Sequence, residues 1–145
     1  MKNKIIKKEL EKKIKYHLVD AKGEILGRLS TKIAKILSGK NAVNFAPNVG
    51  GSDWVVVINS NGVRLSGEKA KKKIYWRHSG YPGGIRRLTF AEMMEKDSRK
   101  VIFQAVKGML PKNKLSARAL TRLLIYKDDK HQQTKELGEL VLDKQ

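Results

Sequence analysis

The segment from Lys69 to Arg87 reads Lys-Ala-Lys-Lys-Lys-Ile-Tyr-Trp-Arg-His-Ser-Gly-Tyr-Pro-Gly-Gly-Ile-Arg-Arg, cations interleaved with aromatic rings. Lys71, Lys72, Lys73, Arg77, Arg86 and Arg87 can neutralise phosphates, while His78 and Tyr81 can stack on an unpaired base or pack on a ribose. Gly83-Gly84 lets one backbone approach another closely. Tyr75 and Trp76 are read as core residues of a strand. A second segment supplies Lys107, Lys112, Lys114, Arg118 and Arg122. Residues 69–87 and 99–127 together hold fifteen Lys or Arg and no Asp or Glu. Solvated faces usually mix both signs, because opposite charges relieve repulsion. One-sign stretches persist where a polyanion neutralises them, and a nucleic-acid backbone does so with release of counterions. Gly108, inside an otherwise helical pattern, costs about 1 kcal/mol against Ala. It marks either a fraying helix end or a site where another backbone comes close.

Other chemistries find little support. Gly62-Val-Arg-Leu-Ser-Gly67 has the glycine spacing of a phosphate-binding loop, but Glu68-Lys69 stand where that motif needs Lys then Ser or Thr. The segment reads instead as a glycine-marked strand connection. His17, His78 and His131 are far apart and there is no cysteine, so no metal set, disulfide or thiolate nucleophile is expected. His17 lies in a strand pattern and reads as a packed or hydrogen-bonded structural residue. No nucleophile has a base beside it. Neither an enzyme, a cofactor nor a small-molecule substrate is implied.

The 145 residues suggest one domain, with 32 Lys and Arg against 14 Asp and Glu and a net charge of +18. The longest apolar run, Trp54–Ile58, is too short to cross a bilayer, and the Lys-rich start has neither a signal-peptide core nor the Arg of a transit peptide. A cytoplasmic protein with no membrane partner is therefore expected. Residues 1–15 carry seven Lys and form a basic arm, with Ile6, Leu10 and Ile14 at the spacing of a short helix. Residues 16–127 form the domain, and 128–145 a tail of mixed charge.

Within the domain, Tyr16–Asp20 predicts a strand and a turn follows at Ala21–Gly23. Leu26, Leu29, Ile33, Ile36 and Leu37 predict a helix ended by Gly39. The β-branched run Trp54–Ile58 predicts a strand buried on both faces, as in a parallel sheet. Short strands are expected from Val63 and over Ile74–His78. Thr89-Phe-Ala-Glu92 is a capping box opening a helix, with Leu88 and Met93 placed as a hydrophobic staple. A following helix carries Val101, Ile102, Ala105, Val106 and Met109 on one face until Pro111 stops it. A short helix over Leu115–Leu120 and a strand over Leu123–Tyr126 complete the pattern, an α/β layer fold with a largely parallel sheet.

Three segments carry a resemblance. Val-Asp-Ala-Lys-Gly-Glu-Ile-Leu-Gly-Arg-Leu (19–29), His-Ser-Gly-Tyr-Pro-Gly-Gly (78–84) and Val-Lys-Gly-Met-Leu-Pro-Lys-Asn-Lys-Leu (106–115) closely resemble the bacterial form of the universal large-subunit ribosomal protein family numbered thirteen. The likeness is collinear from about Tyr16 to Tyr126. It implies a three-layer α/β/α fold around a four-stranded parallel sheet. It also implies binding to large-subunit ribosomal RNA beside neighbouring ribosomal proteins, and a part in early assembly of that subunit. Two places depart from the family: Pro47-Asn-Val-Gly-Gly-Ser-Asp53 replaces the usual Pro-His-Val-Asp-x-Gly-Asp, and Ser116-Ala117 stand before Arg118 where Gly-Arg is usual. The competing reading is a free-standing RNA-binding regulator or assembly factor.

Overall fold

The computed structural model describes residues 15–43 and 45–131. The basic arm and most of the tail therefore lie outside the described residues. Strand β1 (Tyr16–Asp20) is followed by helix α1 (Leu26–Ser38), strand β2 (Trp54–Ile58) and a 3-10 turn at Ser60–Gly62. A single helical turn α2 (Lys69–Lys72), strands β3 (Ile74–His78) and β4 (Ile85–Thr89), helix α3 (Phe90–Met109), helix α4 (Lys114–Leu120) and strand β5 (Leu123–Ile125) complete the order.

The sheet holds three parallel strands in the order β1-β2-β5, with His17, Val55 and Leu123 in one row and Val19, Val57 and Ile125 in the next. Both crossovers step the same way, so right-handed connections put α1 and α3 on the same face. Leu26, Leu29, Ile33 and Leu37 of α1 and Val101, Ile102 and Val106 of α3 close on Val55 and Val57 there. Every residue of Val55–Ile58 is buried, as the continuous apolar run requires.

Two expectations are corrected. The parallel sheet has three strands among the described residues, not four, and these two long helices share one face. Val63–Leu65 contributes one bridge, Arg64 to Ile25, because the glycines at 62 and 67 leave too short a run to extend. Ile74–His78 is a strand, but its partner is β4 in a separate antiparallel hairpin. A six-residue turn can join antiparallel neighbours only; joining the parallel sheet takes a long crossover.

Local signals hold elsewhere. Gly39 takes φ +79° and ends α1, where its missing Cβ would lie 2.9 Å from the backbone of Gly51. The Thr89 capping box is complete: the Glu92 amide donates to Thr89 Oγ1 at 3.3 Å and the Thr89 amide to Glu92 Oε2 at 2.8 Å. Helix α3 kinks at Asp97 (φ −163°, ψ 98°), so the two expected helices exist and abut. Asp97 caps the second, its Oδ1 accepting from the Arg99 amide at 3.2 Å. Buried Ser98 bonds Ser60 at 2.7 Å and Asn61 Oδ1 at 2.7 Å, tying the kink to the end of β2. Leu110 turns to extended backbone before Pro111 and the helix stops.

Candidate nucleic-acid interface

The hairpin β3–β4 stands on the N-terminal end of α3, where the Phe90 amide donates to the Lys73 carbonyl at 3.0 Å. Its register pairs Tyr75 with Leu88 and Arg77 with Arg86 on one face. Tyr75 is half-buried against the core, and burial raises the pKa of its phenol. Arg77 and Arg86 are exposed beyond it, directly opposite each other. Like charges so placed destabilise a hairpin.

The other face pairs Ile74 with Thr89, Trp76 with Arg87 and His78 with Ile85. Trp76 is 63% exposed, which corrects the expectation that it serves the core. Strand alternation puts Tyr75 inward and its neighbour outward. The reading of Tyr75 as a core residue holds.

Glycines shape the tip. Gly83 has φ +72°. Gly84 lies so close to Ser79 that a Cβ would fall 2.0 Å from the Ser79 hydroxyl and 2.9 Å from the Tyr81 carbonyl. The close backbone approach at Gly84 is thus internal to the turn. His78 Nδ1 accepts from the Gly80 amide at 2.9 Å, which leaves the neutral ring's proton on Nε2, able to donate outward. Tyr81 projects from the tip. On α2, Lys71 and Lys72 are exposed, with Lys72 paired to Glu68. Lys73 is exposed at the hairpin base, its Nζ 5.1 Å from the centre of the Tyr75 ring.

The second cluster sits at the other end of α3. Lys107, Lys112, Lys114 and Arg118 are all exposed. Arg122 is not: half-buried, it donates from Nη2 to the Leu37 carbonyl at 3.0 Å, one of the orphan carbonyls at the end of α1. Burial pulls its pKa down, partly offset by the charge of Asp53. It braces the fold. Gly108 has open space around it among the described residues, so no described backbone explains it. A groove of about 540 Å³ opens between the end of α1, residues 45–50 and the α3–α4 connection. Its ionisable walls are Lys35, Lys40 and Arg122, all cations, which offer no acid–base pair.

The two clusters are not brought together. Helix α3 spans 20 residues, roughly 30 Å of contour at 1.5 Å per residue. One further feature escaped the sequence reading: Arg28, Lys32 and Lys35 lie exposed on one side of α1, and that helix contains no acid. Their spacing of four and three residues was the available signal.

Other motifs have structural roles. His17 Nε2 and Asp53 Oδ2 lie 3.2 Å apart, which joins β1 to the loop before β2. A Cβ on Gly62 would meet Lys22 Cα at 2.9 Å, so that glycine serves the contact with the turn after β1.

A scan against protein families matches residues 14–132 to the model described as Ribosomal protein L13. The chain belongs to the ribosomal protein L13 family. Among curated relatives, the large ribosomal subunit protein uL13 of Ureaplasma parvum is 50% identical over 131 residues, covering 90% of this chain and 88% of that protein. The uL13 proteins of Thermotoga petrophila and Clostridioides difficile are each 48% identical over 117 residues, covering 81% of this chain and 78% and 82% of theirs. The resemblance read from three motifs thus extends over most of the chain, and the L13 family match takes in both basic clusters.

Proposed function

We propose that this protein is a structural component of the large ribosomal subunit, bound to the large-subunit ribosomal RNA and acting early in its assembly within the cytoplasmic ribosome. It works by scaffolding, not by catalysis. The arrangement of Arg77 opposite Arg86 carries the reading. Two guanidinium groups face each other on an exposed hairpin with no acid between Glu68 and Glu92. A phosphate backbone turns that repulsion into binding energy. Membership of the L13 family, and the names its relatives bear, point to the same polyanion. Lys71, Lys72, Lys73, Arg77, Arg86 and Arg87 grip one RNA segment, with His78 and Tyr81 at the tip. Lys107, Lys112, Lys114 and Arg118 grip another. These contacts position the protein, and RNA shape supplies most of the specificity.

The test is co-sedimentation of the tagged protein with large subunits through a high-salt wash, together with binding to naked large-subunit RNA. Retention in the wash and binding without other proteins are expected. Complete release into the supernatant would leave a free-standing RNA-binding factor instead.

A further inference from the structure

The outer face of the β3–β4 hairpin has no partner within the described residues. Trp76 is 63% exposed, Ile85 62% and Ile74 39%. The opposite face is anchored through Tyr75, so the hairpin cannot rotate to bury the indole. Two occupants could cover such a face: an unpaired nucleotide or an apolar segment of another protein. Charge decides between them. Arg87 sits directly across the strand pair from Trp76, on the same face. Arg77 and Arg86 lie behind it, and no acid occurs anywhere in the hairpin. Protein–protein interfaces also favour Trp and Arg, but they are depleted of Lys, and Lys69, Lys71, Lys72 and Lys73 lead directly into this hairpin. An aromatic ring beside arginines in a one-sign environment is instead the makeup of a single-strand stacking platform. A paired helix keeps its base faces covered, so the ligand must offer a base that is looped or bulged out.

We propose that Trp76, shouldered by Ile74 and Ile85, is a stacking platform for an unpaired nucleotide of the RNA, with Arg87 on its phosphate. This rests on the reading above that the hairpin faces RNA, and names how that contact is made. The platform adds a salt-insensitive component to a grip that is otherwise electrostatic.

Trp54 and Trp76 are the chain's two tryptophans, so Trp54→Phe leaves Trp76 as sole reporter. Titration of that variant with naked, in vitro transcribed large-subunit RNA should quench the indole and shield it from acrylamide. Trp76→Ala should weaken binding to the same RNA roughly 5- to 140-fold, the range of one base–aromatic stack. The slope of log affinity against log salt should stay unchanged, and Trp76→Phe should recover most of the loss. The exposed position predicts unaltered thermal unfolding for both variants. Wild-type affinity in Trp76→Ala, with the indole still open to acrylamide in the complex, would overturn the platform. If that variant also failed to enter subunits, the face would belong to a protein partner. Failure of the unmodified protein to bind the RNA at all would instead strike the functional reading beneath it.

Discussion

On the proposed function, Arg86 serves binding at the cost of the fold. It faces Arg77 across the hairpin, and a like-charged cross-strand pair costs roughly 0.2–1 kcal/mol. Arg86→Ala should therefore keep or slightly raise the melting temperature of the free protein. The same change should weaken RNA binding and lower the salt slope by about 0.7–0.9, the share of one phosphate contact. A lower melting temperature, or an unchanged slope, would count against the pairing described. Gly84 and Gly108 separate two reasons for glycine. Ala at Gly84 would collide with the Ser79 hydroxyl and the Tyr81 carbonyl and disturb the tip. Ala at Gly108 meets nothing among the described residues, so it should stabilise the free protein by about 0.5–1 kcal/mol. If RNA closes on that helix end, Gly108→Ala should still impair incorporation into subunits. Normal incorporation of the stabilised variant would leave Gly108 as an ordinary weak point near a helix terminus. Sequence alone could not separate these cases: Gly84 lies in a turn signal and Gly108 in a helical pattern, and either could mark a close approach of another backbone. Only the distances to Ser79 and to empty space distinguish them.

Helix α3 gives the corresponding lesson for elements. Its capping box and its stop at Pro111 were legible because each depends on a few adjacent residues. The abutting of two helices at Asp97 also fits the pattern read in the sequence. Strand β4 was not legible. Ile-Arg-Arg-Leu-Thr puts adjacent arginines where an amphipathic strand would alternate, and only pairing with β3 reveals the two faces. Trp76 was misplaced for the same reason: its exposure depends on which face Tyr75 takes into the core. Non-local pairing likewise set the strand count, since Val63–Leu65 has strand-like residues but room for one bridge. The kink itself is testable. Asp97 caps the second helical segment and bonds Arg99, whose side-chain hydrogen bond holds the carboxyl below its ordinary value of 3.8. A carboxyl depressed in the folded state stabilises above its unfolded pKa and loses that contribution as pH falls through the folded one. Asp97→Asn keeps a cap but no charge. Wild type should melt higher than this variant above about pH 4, with the gap closing as the pH falls further. A gap independent of pH would remove the ion pair from the account. Ser98→Ala, which strips the buried hydroxyl shared by Ser60 and Asn61, should cost about 1–3 kcal/mol by chemical denaturation.

At the scale of the molecule, the platform of β1, β2 and β5 with α1 and α3 sets the distance between two grips. The hairpin cluster and the cluster at Lys107–Arg118 occupy opposite ends of α3, so on the proposed function they meet different stretches of RNA and share no phosphate. Sites this far apart without common partners add in free energy. Arg86→Ala/Arg87→Ala and Lys112→Ala/Lys114→Ala should each lower the slope of log affinity against log salt by about 1.4–1.8, two contacts at 0.7–0.9 apiece. The quadruple variant should lose the sum of both, in slope and in log affinity, measured by filter binding to large-subunit RNA from low to physiological salt. Arg122→Ala should behave differently: lower thermal stability, because the Leu37 carbonyl loses its donor, with little change in slope. A flat salt response of the unmodified protein would remove phosphate neutralisation as the source of affinity. Strong non-additivity between the two pairs would mean that one RNA element wraps both ends of α3, and that the platform's length does not separate its two contacts.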